Sequence, residues 1–412
     1  MSTVHIIGGG LAGLSAGVAL ARAGRRVVVY EAGPTAGGRC RSYVDRELDC
    51  RIDNGNHLIL SGNSATMAYL GAIGARDTMR DPGAAKFPFV DLTNGARWTV
   101  APGAGRIPWW VMRPSRRVPE TKVTDYLHLL ALRKAGDDAT VADLLDRPGA
   151  LYRNLLEPLA VAALNTPPSE ALARLLGAVV DETLLAGGKA CVPLFPRTDL
   201  SASLIDPAVA FLQARGGDVR TGCLVAAINS EAGRVTSLAT TTGPIAVAAD
   251  DAVVLAAPPW IAAGLLPGLV VPDAFQAILN VHFRLSVDPG PVGFIGVIGG
   301  MAEWVFIKRD VVSVTVSAAN RYVDLLASEI AALVWPDVQA ALEIDMPMPK
   351  VRVVKERRAT FAATAAQEAR RPGPRSAFAN LVLAGDWTAT GLPATIEGAI
   401  RSGNAAAKLV LG

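Results

Sequence analysis

Gly8, Gly10 and Gly13 stand in a G-x-G-x-x-G run, and Glu31 follows at the distance a ribose-binding acid takes. The three glycines serve different ends. Gly8 permits a tight turn, Gly10 lets the backbone approach a pyrophosphate, and Gly13 lets a helix pack close to a strand. Leu11 and Ala12 open that helix, whose unpaired N–H groups carry partial positive charge and suit phosphates. At the other end of the chain, Gly385-Asp386 closes an apolar run. There the glycine admits close approach of a polyol, and the acid accepts its hydroxyl hydrogen bonds. Together these residues describe a dinucleotide site built from both termini.

The elements that must hold these groups are legible. Val4 to Ile7 reads as a buried parallel strand, Leu11 to Ala23 as a helix stopped by Gly24, and Arg26 to Tyr30 as a second strand. Asn380 to Ala384 reads as a strand, residues 388–393 as a turn and Ala394 to Val410 as a helix. A third piece, Gly216 to Ile228, precedes a strand over Val235 to Thr240. The uncharged stretch Ala252 to Val271 is long enough to span a membrane, but Pro258-Pro259, Gly264 and Pro267-Gly268 would break a helix in lipid. It reads instead as a strand, a turn and a short helix.

Composition removes other classes. The chain has 412 residues, 51% of them hydrophobic and 19% charged, which excludes disorder and fits two or three domains. A net charge of only +3 argues against nucleic acid as a partner. Cys40, Cys50, Cys191 and Cys223 are widely spaced and the four histidines lack ligand spacing, so no metal site and no disulfide framework are expected. The opening residues carry no secretory signal pattern, which predicts a cytoplasmic protein.

Two segments narrow the reading. Residues 32–42, AGPTAGGRCRS, resemble the GG-R-x-x-S/T segment of the flavin amine oxidase and carotenoid desaturase superfamily. Residues 383–403, LAGDWTATGLPATIEGAIRSG, resemble the second FAD motif of the same superfamily. The resemblance implies FAD as cofactor, contacted by Glu31, Ala32, Gly37, Gly38 and Arg39, and from the far end by Gly385, Asp386, Thr395, Ile396 and Glu397. It places Val225 at the adenine, while an ordinary meander is the plainer reading of that segment; Asn54 and Gly55 join the set. No cysteine lies in residues 380–412, so the FAD is expected to be non-covalent. No second G-x-G-x-x-G sits on a strand-to-helix pattern, so no internal NAD(P)H site is expected and electrons must come from or go to the substrate or a partner such as an external electron donor.

The predicted fold is α/β, a discontinuous Rossmann-like FAD-binding domain (residues 1–80, 205–265 and 375–412) with an α+β substrate domain (81–204 and 266–374). Residues 52–58 (IDNGNHL), 156–168 (LEPLAVAALNTPP) and 196–201 (PRTDLS), with Gly385-Asp386-Trp387-Thr388, resemble the hydroxysqualene dehydroxylases of bacterial hopanoid pathways. That likeness implies reduction of hydroxysqualene to squalene with loss of water, on a long apolar isoprenoid. An allylic alcohol leaves readily once an acid assists it, and Asp53, His57 and Asp199 are the candidates. Asp53 and Asn54 could instead form a turn, and His57 a hydrogen-bonded core histidine. Residues 97–134 mix Trp109, Trp110 and Met112 with many Arg and Lys, which suits the headgroup region of an anionic membrane, or a solvated loop over core tryptophans. The competing functions are a flavin amine oxidase, a carotenoid or phytoene-type desaturase, and a non-catalytic prenyl-lipid carrier.

Overall fold

The computed structural model describes residues 2–412. Its first layer is a five-stranded parallel sheet in the order Asp218–Arg220, Arg26–Tyr30, Thr3–Ile7, Ala252–Leu255, Leu381–Leu383. The sheet is thus assembled from three remote stretches of chain. Near-continuous Val, Ile and Leu in these strands is what burial on both faces demands. On one face lie the helices Leu11–Arg22, Asp206–Gln213 and Ile396–Leu411; on the other lies an antiparallel sheet of Val225–Glu231, Arg234–Thr240 and Gly243–Ala246.

The first and last helices pack almost backbone to backbone. A Cβ on Gly403 would collide with the Ser15 hydroxyl and the Ala12 carbonyl oxygen. This contact fixes the two termini side by side and brings their motifs to one edge of the sheet.

The second lobe is a seven-stranded mixed sheet, in the order Val351–Phe361, Phe275–Arg284, Val311–Val316, Trp304–Ile307, Phe294–Ile298, Phe87–Asp91, Arg97–Val100. Strand alternation gives its central strands two faces. Leu279, Val281, Phe283, Val312, Val314 and Val316 pack against Ile330, Val334, Trp335 and Val338 of helix Ala327–Leu342. Asn280, His282, Ser313 and Thr315 point the other way, toward the loop after strand Cys50–Asp53. Short helices between residues 109 and 190 cover the far end around Trp110, Leu156 and Leu176.

Glu303, just before strand Trp304–Ile307, is desolvated, which pushes its carboxyl up from 4.5 to about 7; the Ser317 N–H at 2.8 Å and Arg321 offset this only partly. Folding therefore takes up a proton here, so this contribution to stability is complete below about pH 4.5 and lost as pH rises through about 7. Glu303→Gln keeps the acceptor oxygen and removes the titration. Between pH 5 and pH 8 the thermal midpoint of the native chain is expected to fall a few degrees further than that of the variant. Parallel pH profiles for the two proteins would dismiss this role.

Candidate functional site

The glycine loop after strand Thr3–Ile7 turns so sharply that Gly8 takes φ +111°, where an added Cβ would lie 2.6 Å from the Ala256 carbonyl oxygen. A Cβ on Gly13 would collide with the carbonyl oxygen of Gly8. Helix Leu11–Arg22 has no side-chain cap at Gly10 and no acid in its first turn. Among the described residues, the buried N–H groups of Leu11, Ala12 and Gly13 find no acceptor, and a Cβ at Gly10 would meet open space. Buried donors of this kind require a partner. An anion resting on the loop is the partner they fit.

Glu31 is held at the loop's edge by the N–H groups of Gly9 at 2.8 Å and Gly33 at 2.7 Å. Gly37 donates its N–H to Gly9 at 2.8 Å, so the 32–42 segment lies directly along the glycine loop, with Gly37 and Gly38 both at positive φ. Ala32 is carried between the two turns. The decisive contact is between the termini: Arg39 meets Asp386 at 2.7 Å across 347 residues of sequence. Gly385, at φ +154°, leaves room for the Trp387 indole, which folds over it and donates to the Ala257 carbonyl at 3.0 Å. Trp387 is thereby a core residue.

Helix Ile396–Leu411 begins beside this pair. Thr395 caps it by accepting the Gly398 N–H at 3.0 Å, leaving the Ile396 and Glu397 N–H groups without acceptors among the described residues. Glu397 itself departs from the sequence expectation. Its carboxylate takes the Ala65 and Thr66 N–H groups at 3.0 and 2.8 Å, capping helix Ser64–Ala72, and pairs with Arg401 at 2.8 Å. Only its main chain is free to face a ligand. Val225 is buried near Tyr30 and Trp387, on a strand tied to the Glu31 segment by the Cys223 N–H bond to the Glu31 carbonyl at 2.9 Å.

The three candidate acids have different surroundings. Burial alone would raise the Asp53 carboxyl, but the Lys308 ammonium paired with it, with the Ser42 hydroxyl at 2.6 Å and the Leu200 N–H at 2.9 Å, holds it below the usual range. It is an ionised anchor with no proton to give. Asp199 pairs with Arg51 at 2.9 Å and accepts the Ala202 N–H at 2.9 Å, which fixes the start of the helical turns at Ser201. Both corrections have one cause: each carboxylate is spent on holding chain segments together.

His57 is different. Its loop is pinned on both sides: the Asn54 N–H reaches the Arg41 carbonyl at 3.0 Å, the Asn54 amide reaches Glu356 at 3.2 Å, and the Asn56 amide reaches Thr315 at 3.1 Å. Gly55 passes close under Asn280, 3.2 Å from a would-be Cβ. Among the described residues the His57 ring has no hydrogen-bond partner, against the expectation of a bonded core histidine. Burial lowers its pKa to about 4; Asp53 works against this, and Arg39 and Lys308 add to it. The next residue, Leu58, packs on the aromatic cluster Phe195, Phe294 and Phe306. A half-buried, neutral imidazole without a partner among the described residues therefore sits next to Leu58 in this loop.

Two features were not legible in the sequence. Arg371, with its side chain fully buried, binds Glu368 at 2.7 Å, the Leu392 and Asp386 carbonyls at 2.8 and 3.1 Å, the Thr390 hydroxyl at 2.9 Å and the Thr388 carbonyl. It shapes the whole turn after Asp386, yet nothing in its sequence surroundings marks it. The second is a cavity of about 500 Å³ lined by Phe195, Ile307 and Lys308, whose ammonium pairs with Asp53.

The residues present fit FAD: free helix N-termini and close glycines for a pyrophosphate, Glu31 for a ribose, and Asp386 for a polyol. All four cysteines are free, and burial drives the Cys40 thiol, beside Arg39, up to about 12, where it is unreactive. Among the described residues no cluster could hold a metal ion, and no helix is long and apolar enough to cross a membrane.

Comparison with known proteins agrees with this geometry. The family model described as flavin containing amine oxidoreductase matches residues 11–288 and 300–411. The hydroxysqualene dehydroxylase of Sinorhizobium fredii is 50% identical, over 99% of this chain and 98% of the relative. That of Rhodopseudomonas palustris is 49% identical, with the same coverage. Among solved structures, putrescine oxidase bound to putrescine superposes with TM-score 0.73 at 14% identity, covering 100% of this chain and 99% of that one. Cyclohexylamine oxidase from Brevibacterium oxydans gives 0.71 at 16%, with the same coverage. The two structures share the fold; the two relatives share the sequence from end to end. The chain belongs to the flavin-containing amine oxidoreductase family and, within it, to the hydroxysqualene dehydroxylases.

Proposed function

We propose that this FAD-dependent oxidoreductase reduces hydroxysqualene to squalene. The full-length likeness to hydroxysqualene dehydroxylases carries the reading. In the balanced reaction a C–O bond breaks and a C–H bond forms; the hydroxyl leaves as water with one proton from solvent. FAD, when bound and reduced, supplies the hydride. Leu11, Ala12, Gly13, Glu31, Arg39 and Asp386 hold the cofactor. His57 presents a neutral N–H to the departing hydroxyl, and the Phe195–Phe294–Phe306 wall takes the chain and excludes water. An external electron donor would complete the cycle.

The test is direct. Anaerobic, photoreduced protein mixed with hydroxysqualene is expected to yield squalene by mass spectrometry while the flavin spectrum returns to the oxidised form. Reoxidation without squalene, or putrescine oxidation with peroxide release, would replace this reading with an amine oxidase.

We also propose that the chain takes its substrate from a membrane through residues 97–134. Ile107, Trp109 and Met112 are 61, 70 and 59% exposed, and the neighbouring Arg106, Arg113 and Arg116 have no carboxylate partner among the described residues. Trp110 is not part of this surface: it is buried, its ring edge-on to Tyr126 at 5.4 Å. Trp109→Ala/Met112→Ala is expected to lower binding to vesicles containing a fifth or more phosphatidylserine by about tenfold, loss of two apolar anchors being worth about 1–3 kcal/mol. Unchanged co-sedimentation would dismiss the idea.

A further inference from the structure

The proposed substrate is a neutral alcohol, yet one cavity of the second lobe is cationic. Besides Lys308, which Asp53 neutralises, Arg80, Arg197 and Arg309 line its space of about 500 Å³, against a single acid, Asp288. None of the three guanidinium groups meets a carboxylate among the described residues. Arg80 reaches only the Gly290 carbonyl and lies over the Phe195 ring, 5.6 Å from its centroid. Arg197 donates only to the Asp77 carbonyl at 3.1 Å, and the Arg309 side chain makes no hydrogen bond. Asp288 is turned to the Gly290 N–H at 2.9 Å.

This is unlike the rest of this face, where Arg51, Arg284 and Arg352 each pair with an aspartate at 2.9 to 3.2 Å. Three like charges gathered in one concavity repel each other unless an anion joins them. Guanidinium forks match phosphate oxygens two at a time. Apart from Ser286, the rest of the lining is apolar: Phe195, Val287, Pro289 and Ile307. Phe195 continues into the Phe294–Phe306 cluster that also receives Leu58.

We propose that this cavity is a second ligand site, for an anion bearing a diphosphate head and a hydrocarbon tail, that is, a prenyl diphosphate. The arginines take the head, and Val287, Pro289 and Ile307 beside the edge of Phe195 take the first isoprene units. The choice of tail rests on the isoprenoid reading above; the choice of head does not. A ligand seated there contacts Lys308, and through it the Asp53 anchor of the His57 loop. An isoprenoid diphosphate thereby modulates reduction of the alcohol.

Calorimetric titration of the FAD-loaded protein separates the sources of such a head: inorganic diphosphate, farnesyl diphosphate and NADPH are tested in turn. Farnesyl diphosphate is expected to bind at least tenfold more tightly than inorganic diphosphate. Arg197→Gln/Arg309→Gln is expected to weaken it tenfold or more, with flavin content and squalene formation in its absence unchanged. Failure of both diphosphates to bind, or equal affinity in native and variant protein, would overturn the site. Equal affinity for the two diphosphates overturns the tail, and binding of NADPH alone overturns the assignment in favour of the electron donor. Because the readout is heat of binding, a protein that binds farnesyl diphosphate but forms no squalene upholds this site and rejects the proposed reaction.

Discussion

Replacing Arg371 with Met is expected to leave a protein that is colourless and less stable by about 3–5 kcal/mol, the usual cost of removing one member of a buried ion pair. The guanidinium holds Glu368 and four oxygens of the turn that follows Asp386. Without it the carboxylate loses its closest partner, with Arg174 3.5 Å away as the remaining cation. Several carbonyl groups also lose their donor, and the turn no longer presents Asp386 to Arg39. Met fills similar length without charge, so the effect isolates hydrogen bonding from packing. Chemical denaturation and the ratio of flavin to protein absorbance measure both parts. Should the variant keep full stability and a full complement of flavin, Arg371 does not organise the site.

His57→Phe is expected to reduce squalene formation by about two to three powers of ten, the range for removing one preorganised hydrogen-bond donor from a reacting oxygen, with flavin content intact. His57→Gln, which restores a hydrogen-bond donor, is expected to recover part of that loss. The pH profile distinguishes the manner of assistance. Burial holds the imidazole pKa down to about 4, so the ring is neutral from pH 6 to 8 and works as a neutral N–H donor. Turnover is therefore expected to be flat over that range as far as His57 is concerned. A tenfold rise for each unit of falling pH would show instead that the imidazolium is the donor. Loss of flavin from either variant would move His57 from the chemistry to the cofactor's support.

The cofactor half of the site was legible because its constraints are local. A glycine run between a strand and a helix, an acid after the next strand, and Gly-Asp before another helix each act within one turn of chain, where spacing alone is informative. Gly13 is required by a contact with Gly8 of its own loop, and Gly8 by its positive φ as well as by the remote Ala256 carbonyl. The acids were less legible. Asp53, Asp199 and Glu397 all have the right type and lie near the site, but each is consumed by partners from elsewhere: Lys308, Arg51 and the Ser64–Ala72 helix start, respectively. Nothing at their own positions announces those partners.

The amino-acid sequence by itself determined the strand, turn and helix at each terminus, because those signals are short-range, and the proposed flavin site rests on the two motifs completing one another. Only the tertiary structure decided which ionisable groups remain free to act. That outcome depends on burial and on pairings between residues hundreds of positions apart. These set His57 neutral and unpartnered, bind Asp53 as an anchor, and leave three arginines facing one cavity.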